Sequence, residues 1–150
     1  MLDKKPNLEI RDRHGMTALH YAAQSFEAPI VEMLLAKGAN VNARSNDKTT
    51  PLLLAAGTGN VQAIELMLEH GAELEAKEKN GMTALMYAAF YGRPQAVQTL
   101  LAKGASVDAR STKGDTALSL ARKLPFFKQG HQEIVDLLCE SGVVEASLSA

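Results

Sequence analysis

Tryptophan is missing, and cysteine occurs once, as Cys139, in a chain of 150 residues. A single thiol rules out an internal disulfide framework and any multi-cysteine metal site, and it fits a reducing compartment without excluding a secreted one. Charge of one sign is also lacking. Sixteen Lys and Arg against seventeen Asp and Glu leave a formal charge of −1, so no field draws the chain to nucleic acid or to an anionic membrane. No apolar run approaches the roughly 18 residues needed to cross a bilayer, and Met1 to Arg11 is polar where a signal peptide would be apolar. A cytoplasmic location is the default expectation, with a periplasmic or secreted one if a leader has been removed. What is present is an apolar content of 46%, enough for a packed core and too much for a disordered chain.

The dominant signal is self-similarity. Gly15-Met16-Thr17-Ala18-Leu19-His20-Tyr21-Ala22-Ala23 returns as Gly81-Met82-Thr83-Ala84-Leu85-Met86-Tyr87-Ala88-Ala89, 66 residues later. Thr50-Pro51-Leu52-Leu53-Leu54-Ala55-Ala56 lies midway, and Thr116-Ala117-Leu118-Ser119-Leu120-Ala121 follows, so the period is 33. A second block recurs in phase: Leu34-Leu35 with Gly38-Ala39, Met67-Leu68 with Gly71-Ala72, Leu100-Leu101 with Gly104-Ala105, and Leu138-Cys139 with Gly142. Gly142 stands 38 residues after Gly104, so the last unit carries five extra residues between Arg122 and Gly130.

Each column has a physical reason. Thr17, Thr50, Thr83 and Thr116 precede a helical pattern and are expected as N-caps, accepting from orphan N–H groups of the first turn. Pro51 fits the first helical position, where a missing N–H costs nothing. Paired alanines let neighbouring helices approach closely. Leucine pairs four residues beyond Ile30 and Val31 give the second helix an apolar face, and each buried leucine contributes roughly 1.5–3 kcal/mol. Gly38, Gly71, Gly104 and Gly142 are expected to end those helices with φ above zero.

From Asp12 to about Leu148 these motifs resemble the ankyrin repeat. The resemblance implies an all-α fold: an ankyrin-repeat solenoid of stacked helix-turn-helix units with hairpin-like loops and a concave binding face. The implied repeats are 12–44, 45–77, 78–110 and 111–148, after a part-repeat or cap at 1–11 and before a tail at 149–150. Two departures stand out. Ser45 and Lys48 replace residues of the Asp12 and Gly15 type, and Phe26 occupies the column of Gly59 and Gly92, which puts the first inter-helix turn in question. Asn7 to Arg11 aligns with Asn40 to Arg44, so the amino-terminal edge is thinly capped. Either Met1 to Pro6 fold over it, or a longer array continues there, or it meets a partner.

Chemistry is weakly encoded. The histidines, at 14, 20, 70 and 131, are not paired at metal-ligand spacing, and neither a nucleophile triad nor a phosphate loop is present. Gly57-Thr58-Gly59-Asn60 reads as a turn between helices. The resemblance implies a structural hydrogen bond for His20; His131 is expected to cap the last helix, and Cys139 reads as a small buried hydrophobe. No metal or cofactor is expected, and no enzymatic activity.

All seven aromatics, Tyr21, Phe26, Tyr87, Phe90, Tyr91, Phe126 and Phe127, fall at the end of the first helix of a repeat, in the following turn, or in the insertion. Packing is the expected role for Tyr21, Tyr87 and Phe26. Phe90 and Tyr91 occupy columns filled elsewhere by Gln24-Ser25 and Gly57-Thr58, so the fold does not require aromatics there. Leu124-Pro125-Phe126-Phe127 is apolar where an exposed loop would be polar. The expected partner-binding residues are therefore Phe90, Tyr91, Phe126, Phe127, Tyr87 and Leu124, with Met82 and Lys113 at the rim. The expected partner is another folded protein, bound by an adaptor or a stoichiometric inhibitor of an enzyme, the self-protection type of small bacterial ankyrin protein among them. Nucleic acid and membrane are not expected as partners, and the unbound chain is expected to be monomeric. The competing expectation is a regulatory or structural fragment whose activity lies elsewhere in a larger protein.

Overall fold

The computed structural model describes residues 7–123 and 130–149, with side-chain surroundings given as far as Ser141. Helix α1 spans Ala18–Gln24, α2 Ala28–Ala36, α3 Pro51–Thr58, α4 Val61–Glu69, α5 Ala84–Phe90, α6 Pro94–Ala102, α7 Ala117–Arg122 and α8 His131–Ser149. No strand occurs among the described residues. The odd-numbered helices form one stack, each against the next, and the even-numbered helices form a second stack beside it.

Local chemistry starts each odd-numbered helix, the inner helix of its repeat as against the even-numbered outer one. The hydroxyls of Thr50, Thr83 and Thr116 accept from the backbone N–H of Leu53, Met86 and Ser119 at 3.2–3.4 Å. At Thr17 the histidine three residues on shares the task. The Thr17 N–H donates to His20 Nδ1 at 3.0 Å, and the Thr17 hydroxyl lies 2.9 Å from the same nitrogen. His20 Nε2 faces the Thr49 carbonyl of the next repeat at 2.8 Å. An Nδ1 that accepts and an Nε2 that donates define one neutral tautomer. Burial holds this imidazole below its ordinary value of 6.5, partly offset by the Thr49 hydrogen bond.

The alanine pairs do what small residues allow. Ala22, Ala55, Ala88 and Ala121 are buried where inner helices meet, as are Ala23, Ala56 and Ala89. Val31, Ile64, Val97 and Ile134 close the interior from the outer helices.

The loops also repeat. Asp12, Ser45, Glu78 and Ser111 each accept two backbone N–H groups, two and four residues ahead, so serine replaces carboxylate without loss of the turn. Successive loop tips are each joined by one backbone–backbone bond of 2.9 Å, from Asn46 N to His14 O, Lys79 N to Asp47 O and Thr112 N to Asn80 O, beside side-chain contacts between the same loops.

Five sequence expectations are corrected. Phe26 does not fill a gap left by glycine: it keeps the glycine conformation with φ 63° and is 62% exposed, so the turn survives at the expense of strain. Tyr21 is likewise exposed, because its phenol donates outward to the Asp12 carboxylate. That bond holds Asp12 down at about 2. Gly142 does not end its helix, since α8 runs through it to Ser149; Glu145, Ala146 and Leu148 are good helix formers. Cys139, on α8, is half-buried, not fully buried. Gly57 and Thr58 belong to α3, so the turn is confined to Gly59 and Asn60. His131 is buried as the first residue of α8.

Candidate functional site

The carboxyl-terminal end of α5 carries the aromatic group. Tyr87 and Phe90 lie in the helix and Tyr91 is its C-cap, with φ −89° and ψ 0°. A step of four residues brings Tyr87 and Tyr91 onto one face, with ring centroids 5.9 Å apart and an edge-on angle of 63°. Phe90 meets Tyr91 at 5.0 Å and 85°. Edge-to-face pairs at these distances are favourable beyond the area they bury. Phe90 and Tyr91 are each 44% exposed. Tyr87 is half-buried against the core, and burial, with Glu78 nearby, pushes its phenol up to about 12. The Thr49 side chain beside it acts in the opposite direction. Tyr87 thus anchors the group to the interior while its neighbours face solvent.

Beneath the rings lies Gly57 of α3. A Cβ there would stand 3.3 Å from Tyr91 Cδ2 and 3.5 Å from Tyr87 Cδ2, so the rings rest almost on the helix backbone. Arg93 crosses the same place from the turn after α5. Its Nε donates to the Gly57 carbonyl at 2.9 Å. The result is an open groove of about 250 Å³ lined by Gln24, Leu54, Gly57, Thr58, Tyr87, Tyr91 and Arg93. A second groove, of about 420 Å³, shares Tyr91 and Arg93 with the first and is bounded also by Pro94, Gln95, Gly130 and Glu133.

The other expected site residues are placed apart. Met82 is half-buried just before the N-cap of α5, and Lys113 is exposed on the loop tip of the fourth repeat. The seven-residue helix α5, about 10 Å long at 1.5 Å per residue, separates that end from Phe90 and Tyr91. Leu124, Phe126 and Phe127 lie outside the described residues. Sequence reasoning missed Arg93, Gly57, Leu54 and Gln24. The signal for the glycine was available: in the 24, 57, 90 column a glycine sits between glutamine and phenylalanine. Arg93 gave no signal, because its column holds Glu27 and Asn60 at unremarked turn positions.

Among the described residues no three His, Cys, Asp or Glu side chains converge as a metal site would require, and no helix is long and apolar enough to cross a membrane. The model for ankyrin repeats in three copies matches residues 1–45 and 28–111, and the chain belongs to the ankyrin-repeat family. Ankyrin repeats are protein-interaction modules and in general not enzymes. No curated protein matches the sequence.

Proposed function

We propose that this chain binds a folded partner protein through the inner-helix face of its second and third repeats, with Phe90 and Tyr91 as the anchors and Tyr87 as their support. It acts as an adaptor or as a stoichiometric inhibitor of that partner. The observation that carries the proposal is the exposure of two aromatic rings, stacked edge to face, in columns where the first two repeats manage with glutamine, serine, glycine and threonine. Exposed aromatics held rigid in this way are the commonest interface anchors. The inner-helix face is also where the family's fold offers a binding surface. Lys113 and Met82 border that face at its loop end.

The test is affinity capture followed by calorimetry on the captured protein. Tyr91→Ala is expected to weaken that binding by about 2 kcal/mol or more and to leave the melting temperature within a few degrees of wild type. Unchanged affinity together with lost stability would assign the ring to the packing of the stack.

A further inference from the structure

The groove over Gly57 has a composition that selects its occupant. Leu54 and the faces of Tyr87 and Tyr91 are apolar, while Arg93 places a guanidinium at the edge. The Arg93 side chain is not free to wander, because its Nε is committed to the Gly57 carbonyl. Among the described residues Arg93 takes part in no ion pair; the two present are Lys79 with Asp47 and Lys123 with Asp115. Glu133 shares the adjoining groove with Arg93 without pairing with it. A cation held in a fixed orientation beside apolar rings, with no carboxylate on it, is complementary to an anion that arrives with an apolar group. Size narrows the choice further. At about 250 Å³ and open to solvent, the groove falls below the ~300–1,000 Å³ of sites that enclose a small-molecule ligand. It suits one side chain of a larger partner.

Resting on the proposed protein-binding role of this face, we infer that the groove receives an apolar side chain from the partner, and that an Asp or Glu within two residues of that side chain pairs with Arg93. The apolar group lies over Gly57 between Leu54 and the tyrosines, and the carboxylate meets the Nη groups of Arg93, whose Nε is already engaged. Affinity then comes from the apolar contact and sequence preference from the charge. Lysine in place of arginine keeps the attraction but gives up the forked geometry.

The probe is a displayed library of random peptides selected on the immobilised full chain. The expected result is enrichment of an apolar residue with Asp or Glu one or two positions away. A selected peptide should bind Arg93→Gln about tenfold more weakly, the equivalent of one charge-assisted hydrogen bond, retain most of its affinity for Arg93→Lys, and lose binding to Tyr91→Ala. Its affinity for the wild-type chain should also fall as salt is raised, a readout that does not depend on any variant folding. Peptides that need Tyr91 but show no acidic preference, no salt dependence and no response to Arg93→Gln would overturn the pairing while leaving the binding face intact. Peptides that bind Tyr91→Ala as well as wild type, or no enrichment at all, would overturn both.

Discussion

Among the described residues, two hold left-handed backbone without being glycine. Lys48 has φ 64° in the column where Gly15, Gly81 and Gly114 have φ 75–82°, and Phe26 does the same at an inter-helix turn. A left-handed conformation costs an L-residue roughly 1–2 kcal/mol, part of which glycine returns as unfolded-state entropy. Lys48→Gly is therefore expected to raise stability by about 0.5–1 kcal/mol in chemical denaturation. Gly81→Ala is expected to lower it by about 2 kcal/mol or more, since its Cβ would also stand 2.9 Å from the Thr112 nitrogen. If the two substitutions shift stability in the same direction, the strain assigned to this column is wrong. The same scale governs pH. His20 is held neutral by burial, so the unfolded chain takes up a proton at a higher pH than the folded one does. Stability present above about pH 6.5, the ordinary imidazole value, is then lost as pH falls below it. His20→Leu is expected to be less stable at pH 7.5 by about 1–3 kcal/mol, because the Thr49 carbonyl and Thr17 N–H lose a partner. Its stability should fall less steeply than wild type from pH 7 to 5.5. An unchanged slope would show that His20 is not the group titrating.

At the scale of elements, the helix starts are legible in the sequence and the ends less so. A threonine, a proline in the first turn and an apolar period announce α3 without ambiguity, and its cap bond is present. The end of α8 departs from its sequence signal because glycine marks a C-cap only when the residues after it cannot continue the helix; Val143 to Leu148 can. Tyr21 and Phe26 depart from theirs for a related reason. Column identity says where a residue sits along the helix, but whether its ring turns inward depends on partners such as Asp12, which lies in another segment. The groove is illegible because it is made by three repeats at once: Gln24 from the first, Gly57 from the second and Arg93 from the turn of the third. Caps also give a clean test. Thr50→Ala is expected to cost about 1 kcal/mol, and the loss should be confined to faster amide exchange around α3. Uniform loss of protection across all helices would mean that the repeats do not open separately.

The described residues form a stack in which each repeat touches its neighbours, and the first repeat is the more exposed of them. The consequence is visible in one pair of columns. Ala43 and Ala63 are buried between repeats, whereas their counterparts Ile10 and Ile30 are 67% and 40% exposed. Nearest-neighbour coupling makes such an edge the first part to open, and amides of α1 and α2 are expected to exchange faster than those of α3 to α6. The proposed binding face avoids that edge. Phe90 and Tyr91 stand on the third repeat, with packed repeats on both sides, where rigid anchors lose little entropy on binding. A photoreactive phenylalanine analogue placed at position 90 in cells that hold the native partner tests this most directly. A single covalent adduct with the partner is expected from position 90 and none from the same analogue at Met33, an exposed residue of the outer helix α2. An adduct from position 33 and none from position 90, with the partner still bound, would contradict it.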